Sequence, residues 1–250
     1  MRLLSMAAAQ QGIARIPAGM SLWLSADKGV TYDGDNKVSQ WNDQSGNDYH
    51  AVTHLMQPLY VSNGINELPT IDFTSGTLKL SDGLDMFRNK AAATVVVVKQ
   101  LLELTSGVKA SFRATTDQSG FARVNIEEGR TTDRYNVSGR RLDSDSFLVR
   151  NGTSSLTDSP IIHSGVFDWE NASASLYLDG IFDDNTTDFH TEGNSDDTDS
   201  ELIVIGSGSN LTSISQGFNG YISEILAYDR VLSASDFTLL HNYLLNKYGI

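Results

Sequence analysis

Short runs of alternating apolar and polar residues recur along the whole chain, and they constrain its fold more than any other feature. The early runs are SLWLS at 21–25, KVSQW at 37–41, PLYVS at 58–62, TIDF at 70–73 and TLKL at 77–80. Such alternation places apolar side chains on one face of a β-strand. Turn-forming pairs such as Asp33-Gly34 and Asn63-Gly64 separate the runs, with no amphipathic helix between them. The sequence therefore predicts an all-β protein with an antiparallel β-sandwich or barrel.

One run differs from the others because it is apolar on both faces. The segment ATVVVVK at 93–99 predicts a central strand that a second sheet covers on one side and that loops or a helix cover on the other. Later strands are predicted at FARVNIE, SFLVR, SASLYLDG and FNGYISEILAYDR. In SASLYLDG, the alternation runs into an Asp-Gly pair, which is typical of a tight hairpin turn.

A single helix is predicted, close to the C-terminal end of the sequence. Ser233 or Ser235 is suited to cap its N-terminus, and Asp236 would lie in the first turn, where the helix dipole favours an acid. Gly249 is a natural stop. The apolar stripe of this helix consists of Phe237, Leu240, Leu244 and Tyr248. We expect this helix to close the sandwich.

Composition excludes several classes of function. The chain has no cysteine, so disulfides and thiolate metal sites are impossible. The net charge is −13 and the 18 Lys and Arg residues are scattered, which argues against nucleic acid or an anionic membrane as a partner. No apolar run approaches the roughly 20 residues of a transmembrane helix. The apolar run at 3–9 is too short for a typical secretory signal.

The stretch QWNDQSGNDYHA at 40–51 places a tryptophan before a dense group of small polar residues. A sugar site needs an aromatic ring for stacking and amide or carboxylate groups for hydroxyls. The predicted ligand-binding residues are Trp41, Asn42, Asp43, Asn47, Tyr49 and Trp169. The alternative is a structural turn with Trp41 in the core, which requires a bulge because Val38 and Trp41 differ in parity.

Aspartates in the loops beside this stretch suggest a hard cation. Asp27, Asp33 and Asp35 are the predicted metal ligands, and the segment DGDN at 33–36 resembles part of a calcium loop without the full EF-hand spacing. A second acidic group, residues 179–201, has nine acidic residues and no Lys or Arg. Calcium is therefore a predicted cofactor. A turn at 33–36 and a solvated acidic loop are the alternatives.

Taken in order, several of these segments resemble the concanavalin A-like lectin/glucanase superfamily. The resemblance lies in its laminin-G-like branch, which is common in bacterial surface proteins and bacteriophage structural proteins. The segments that carry it are LWLSADKGV, VSQWNDQSGNDYHA, QPLYVSNGINELPTIDF, IIHSGVFDWENASASLYLDG, LIVIGSG and FNGYISEILAYDRVLSASD. The resemblance implies a jelly-roll β-sandwich at 19–250, after an N-terminal arm at 1–18. It also favours a turn at 40–51.

The resemblance leads to expectations about chemistry. Enzymes of the superfamily carry a Glu-x-Asp-x-(x)-Glu strand, and no Glu here is followed by Asp two positions later. No Gly-x-Ser-x-Gly elbow occurs either. With 31 acidic residues, composition selects no particular carboxylate pair. The protein is therefore expected not to be an enzyme.

The expected function is that of a virion component on a tail fibre, a neck appendage or the capsid surface. Such a protein would bind host or environmental glycans weakly and gain strength from many copies. It would be made in the host cytoplasm without a signal peptide, form homo-oligomers and contact other virion proteins through the arm. The alternatives are a cement or spacer module that binds no sugar and a glycan-cleaving hydrolase.

Overall fold

The computed structural model describes residues 16–80, 85–104, 107–115, 122–130, 133–186, 188–198, 202–208, 214 and 216–250. Within these ranges, the strands form two antiparallel sheets. Sheet A contains β1 (Leu22–Ser25), β5 (Leu59–Val61), β6 (Thr70–Asp72), β8 (Ala92–Leu101), β13 (Ile161–Asp168), β14 (Ser173–Leu178), β15 (Ile181–Thr186) and β17 (Gly220–Tyr228). Sheet B contains β2 (Val30–Tyr32), β3 (Val38–Trp41), β4 (Ala51–Thr53), β7 (Leu78–Leu80), β9 (Lys109–Thr115), β10 (Ala122–Glu128), β11 (Arg134–Gly139), β12 (Leu148–Ser155) and β16 (Leu202–Ile205).

Strand order brings distant segments of the chain together. Sheet A runs β15-β14-β13-β8-β17-β6-β5, with β1 also paired to β17, and sheet B runs β12-β11-β10-β9-β16-β7-β4-β3-β2. A short 3-10 turn occupies Ile65–Glu67. The arrangement is a β-sandwich of the jelly-roll type. It confirms the all-β fold predicted from alternation and the sandwich implied by the resemblance.

The main core fills the space between the two sheets, and strand β8 shows how the sequence builds it. Val95 and Val97 of this strand point into the main core, whereas Val96 and Val98 point to the other face, where they join a second apolar cluster with the helix. Both faces of β8 are therefore covered, as its uninterrupted apolar run predicts.

The C-terminal helix, α1 (Ala234–Tyr248), lies on the outer face of sheet A. Ser233 is the N-cap: its hydroxyl accepts a hydrogen bond of 3.1 Å from the backbone N–H of Asp236. Gly249 ends the helix in the left-handed conformation, with φ of 64°. Leu240 and Leu244 of the predicted stripe are fully buried. No helix within the described ranges is long and apolar enough to cross a membrane.

The predicted N-terminal arm falls mostly on residues 1–15, which lie outside the described ranges. The last residues of the arm are held against the sandwich. The phenol of Tyr228 donates to the carbonyl of Pro17, and Arg230 donates to the carbonyls of Ala18 and Gly19. Ile16 packs against the apolar cluster under the helix. The boundary between arm and domain at 18/19 stays a prediction.

Candidate functional site

The two tryptophans predicted as sugar platforms lie in the main core. Trp41 and Trp169 are both fully buried. The pairing of β2 with β3 shifts register between Thr31 and Tyr32, and this irregularity lets Val38 and Trp41 face the same side despite their parity. Neither ring presents a face to solvent, so the prediction that they bind ligand is corrected to a packing role.

The polar residues after Trp41 form a turn organised by one carboxylate. Oδ1 of Asp43 accepts hydrogen bonds from the backbone N–H groups of Trp23 and Ser45, each at 2.9 Å. Its Oδ2 accepts from the Ser45 hydroxyl at 2.6 Å and from the N–H of Tyr49 at 3.1 Å. Asp43 thus ties the loop to the start of β1, in the manner of an Asx turn.

The neighbours of Asp43 serve the same turn. The side-chain amide of Asn47 donates to the carbonyl of Ser21 at 3.0 Å. Oδ1 of Asn42 accepts from the side chain of Gln40 at 2.6 Å. Tyr49 packs against the main core. These contacts match the alternative of a structural turn, and the ligand contacts of Asn42, Asp43, Asn47 and Tyr49 stay predictions.

The predicted calcium ligands each have protein partners. Oδ1 of Asp27 accepts from the Ser25 hydroxyl and from the Lys247 ammonium at 3.2 Å. Oδ1 of Asp33 accepts from the backbone N–H of Asp35 at 2.9 Å, which closes the turn between β2 and β3. Among the described residues, no three His, Cys, Asp or Glu side chains are grouped to hold a metal ion. Calcium binding stays a prediction.

A cavity of about 250 Å³ opens at one edge of the sandwich, between edge strand β12 of sheet B and edge strand β15 of sheet A. We call it the rim pocket. One side chain joins the two strands here: the Asp183 carboxylate accepts from the Thr153 hydroxyl at 2.6 Å, the Thr153 N–H at 3.0 Å and the Ser154 hydroxyl at 2.9 Å. These hydrogen bonds join the edges of the two sheets beside the pocket.

The wall of the rim pocket combines apolar and polar groups. Leu178 and Phe182 supply apolar surface, and the Phe182 ring is 52% exposed. The Tyr135 hydroxyl accepts from the backbone N–H of Thr157 at 3.3 Å, and no described residue accepts its own proton. Burial raises the pKa of Tyr135 to about 12. This phenol therefore remains a hydrogen-bond donor to whatever enters the pocket.

Asp179 forms another part of the wall, at the turn between β14 and β15. Together with Gly180, it makes the two-residue Asp-Gly hairpin turn that the sequence predicts, and both residues have positive φ. Oδ1 of Asp179 accepts from the Ile162 N–H at 2.8 Å, and burial raises the pKa of this carboxyl group. The Asp-Gly pair in the sequence predicts the turn, whereas the position of the turn beside a cavity depends on how the two sheets pack.

Behind Tyr135, polar groups continue into the interior of the sandwich. The His163 ring lies 5.5 Å from the Tyr135 ring, edge to face, and neither ring nitrogen of His163 has a hydrogen-bond partner among the described residues. Burial, with a smaller contribution from the charge of Lys99, holds the pKa of His163 well below its usual value. The Lys99 ammonium contacts the Glu128 carboxylate at 2.5 Å, and both side chains are wholly buried.

Comparisons with solved structures identify the same fold in other proteins. A sialidase from Trypanosoma rangeli, in complex with 2,3-difluorosialic acid, has a TM-score of 0.62 at 15% identity, over 93% of this chain and 34% of the sialidase. Domain 4 of the GH43 extracellular arabinanase AbnA from Geobacillus stearothermophilus, in complex with arabinotriose, has a TM-score of 0.60 at 16% identity, over 90% of this chain and 98% of that domain. The binding domain of Paraclostridial Mosquitocidal Protein 1 has a TM-score of 0.62 at 13% identity, over 91% of this chain and 53% of that one.

These similarities establish the fold, and the chain spans about a third of the length of the sialidase it matches. No family model matches the sequence. No curated protein sequence matches it either.

The comparisons correct the prediction that the chain is not an enzyme. Five sialidase structures share this fold over 90% or more of the present chain. The prediction rested on the missing Glu-x-Asp-x-(x)-Glu strand. The fold also occurs as one part of larger glycan-cleaving enzymes, so the lack of that strand does not separate this chain from them.

Proposed function

We propose that the chain is a glycan-binding module that holds a sugar in the rim pocket. The observation that carries the proposal is the cavity of about 250 Å³, with an aromatic ring, a free phenol donor and two carboxyl groups around it. A sugar ring has apolar C–H faces and a rim of hydroxyls, and it needs the combination that Phe182, Tyr135 and Asp179 provide. Pockets for drug-sized ligands occupy about 300–1,000 Å³, so this smaller one suits a single sugar unit.

Structural neighbours support this proposal. The arabinanase domain matches along nearly its whole length and was solved with arabinotriose, and the sialidase was solved with a sialic acid derivative. A shallow site of this size binds weakly by itself, and several copies on one particle would raise the avidity.

The test is a glycan array followed by titration calorimetry with the best glycan. Phe182→Ala should weaken binding by about two- to tenfold, because an aromatic contact of about 0.5–1.5 kcal/mol is lost. Tyr32→Ala is the matched control, since Tyr32 is also exposed, at 45%, but stacks on Tyr60 away from the pocket residues. A blank array, or a folded Phe182→Ala protein that binds like wild type, would contradict the proposal and favour the structural spacer.

A second candidate function, glycan cleavage, is favoured by two carboxyl groups in different environments around the same pocket. Burial raises the pKa of Asp179, so it holds its proton to higher pH, whereas Asp183 accepts several hydrogen bonds from β12. Glycoside hydrolysis uses one carboxyl as acid and another as base or nucleophile. In this role, Asp179 would protonate the glycosidic oxygen as the bond from that oxygen to the anomeric carbon breaks. The Asp183 carboxylate would take a proton from the water that adds to the anomeric carbon.

For cleavage, the measurement is the release of reducing ends from the glycans that bind. Asp179→Asn should reduce the release rate by about a hundredfold or more, the usual contribution of a general acid, with little change in glycan affinity. Glu192→Gln, at an exposed position, should leave the rate unchanged. Absence of any release by the wild-type protein would remove this candidate and leave binding alone.

We propose further that the protein is a virion component of the laminin-G-like type, made in the host cytoplasm and attached to other virion proteins through residues 1–18. Support comes from the ordered set of motifs in the sequence and from the contacts that hold Pro17, Ala18 and Gly19 against sheet A. Mass spectrometry of purified particles should then find the protein at a fixed copy number. Its absence from particles would contradict this location.

A further inference from the structure

A second cluster of polar side chains lies on the outer face of sheet B, away from the main core. Arg113 of β9 alternates with core residue Phe112, and Asn125 of β10 alternates with Ile126, so both polar side chains point outward. They are nevertheless buried, with Asn125 at 0% and Arg113 at 5% exposure. Arg113 and Asn125 are direct partners in the strand register, which places them side by side.

The carboxylate of Glu127, beside this pair, already accepts hydrogen bonds at both of its oxygens. The Glu127 oxygens accept from both Nε and Nη2 of Arg130, from Nδ2 of Asn125 at 2.6 Å and from the Ser138 hydroxyl at 2.7 Å. Each oxygen therefore has two donors. Glu127 neutralises Arg130 and has no lone pair left over for Arg113.

Arg113 uses little of its capacity for hydrogen bonding. Within the described ranges, its one hydrogen bond runs from Nη1 to the Gln216 side chain at 3.2 Å, and its buried Nε has no partner. Burial lowers the pKa of Arg113 to about 10, against the attraction of Glu127. A guanidinium has five N–H donors, and burying them unpaired costs free energy that an acceptor would recover.

Arg123 on the same sheet shows how a structural arginine is treated in this molecule. Its Nη1 donates to the Asp196 carbonyl at 2.8 Å, and its Nη2 donates to the Asp143 carboxylate at 2.6 Å and to the Thr198 hydroxyl at 2.9 Å. Arg123 thus joins two loops to β10 and has a counter-ion, although its Nε, like that of Arg113, has no partner among the described residues. The two arginines differ in the partners of their terminal nitrogens. In the part of the chain that the structure describes, Arg113 has neither a network of this kind nor a carboxylate partner.

Asn125 offers the complementary group. Its Nδ2 faces Glu127, which can only accept, and this fixes the orientation of the side-chain amide. Its Oδ1 is buried and has no hydrogen-bond partner among the residues described. Adjacent positions on the sheet therefore present an unused cationic donor and an unused neutral acceptor.

From these contacts we infer that Arg113 and Asn125 form a site for an acidic sugar. The sugar carboxylate would bind the guanidinium of Arg113, and a neighbouring hydroxyl would donate to Oδ1 of Asn125. Arg113, Arg130 and Glu127 together carry a formal charge of +1, in a chain of net charge −13. A local positive site in an acidic protein selects an anion, and guanidinium matches carboxylate geometry. Neither Arg113 nor Asn125 lines the rim pocket, so the proposal for one site can be wrong while the proposal for the other holds.

The experiment compares glucuronic acid, N-acetylneuraminic acid, glucose and acetate by ligand-observed NMR and calorimetry on the full chain. We expect at least one sugar acid to bind more tightly than both glucose and acetate. Arg113→Gln should weaken that binding about tenfold or more, the value of a charged hydrogen bond. Lys28→Gln, which removes the same charge at an exposed lysine, should leave it unchanged.

Arg113→Lys is a second variant in case Arg113→Gln does not fold. It keeps the positive charge but removes the guanidinium group, so it too should weaken the binding of sugar acids. Phe182→Ala should leave this binding intact. Equal binding of acetate and sugar acids would overturn the inference in favour of a simple anion site. Wild-type affinity in folded Arg113→Gln, or no preference for sugar acids over glucose, would also overturn it.

Discussion

Replacing Glu224 with alanine is expected to lower the free energy of unfolding by about 3–5 kcal/mol, because several buried donors lose one shared acceptor. Glu224 lies on β17 and is fully buried. Its Oε1 accepts from the Trp23 indole N–H at 2.7 Å, and its Oε2 accepts from Lys247 at 2.7 Å and from the Tyr248 phenol at 2.8 Å. This one carboxylate therefore links β17 to the side chain of Trp23 on β1 and to the helix α1.

Protonation of the surrounding groups supports this assignment. Burial, followed by the nearby charge of Glu224, raises the pKa of Tyr248, so its phenol keeps the proton that it donates. Removing Glu224 would leave that phenol and the Lys247 ammonium inside a largely dry contact, with Asp27 as the remaining carboxylate partner of the lysine. The helix contact should weaken before the sheets do.

Chemical denaturation measures the loss, and hydrogen exchange locates it. Amide protection in α1 should fall more than protection in β8, and Glu192→Ala at an exposed position should change the free energy of unfolding by less than about 0.5 kcal/mol. A loss below about 1 kcal/mol in Glu224→Ala would contradict the fastening role.

The sequence predicted those parts of the fold that depend on local patterns. Alternation located β1, β3, β5, β6 and β7, and the two-faced apolar run located β8 as a central strand. The helix followed from its cap, its stripe and its terminal glycine. Each of these patterns reflects physics that acts within a few residues.

The sites were not predictable in the same way, because register and pairing create them. Asn125 and Arg113 become neighbours only through the pairing of β9 with β10, and Tyr135 and Asp183 meet only where the edges of two sheets converge. For Trp41, the strand pattern was misleading. Its parity places the ring on the face opposite to Val38, but the irregular pairing of β2 with β3 turns the ring into the core. Aromatic rings suit cores as well as sugar sites, so composition did not separate the two.

The second large effect on stability is expected at the buried ion pair of Lys99 and Glu128. Lys99→Met should cost about 3–5 kcal/mol of unfolding free energy at neutral pH, because it leaves the Glu128 carboxylate buried without its counter-ion. The Lys99 ammonium also donates to the Ser111 hydroxyl at 3.0 Å, so a polar network is lost with the pair. Lys99 donates to Oε2 of Glu128, and among the described residues Oε1 has no hydrogen-bond partner that could compensate for the loss.

The loss should depend on pH in a defined direction. Burial raises the pKa of Glu128, and the attraction of Lys99 opposes that increase. Without Lys99, folded Glu128 holds its proton more tightly than the unfolded chain does. The folded state of the variant then binds more protons above the unfolded pKa, so its stability falls as pH rises. Denaturation of Lys99→Met should therefore show a larger loss at pH 7 than at pH 5.

The matched control is the double variant Lys99→Met/Glu128→Leu. Replacing both charges with apolar side chains removes the desolvation cost of each, and such exchanges are often neutral or stabilising. The double variant should recover most of the stability that Lys99→Met loses, and its pH dependence between 5 and 7 should be flatter. If it is as unstable as the single variant at both pH values, poor packing around the substituted side chain explains the loss. In that case, the buried ion pair does not stabilise the interior of this sandwich.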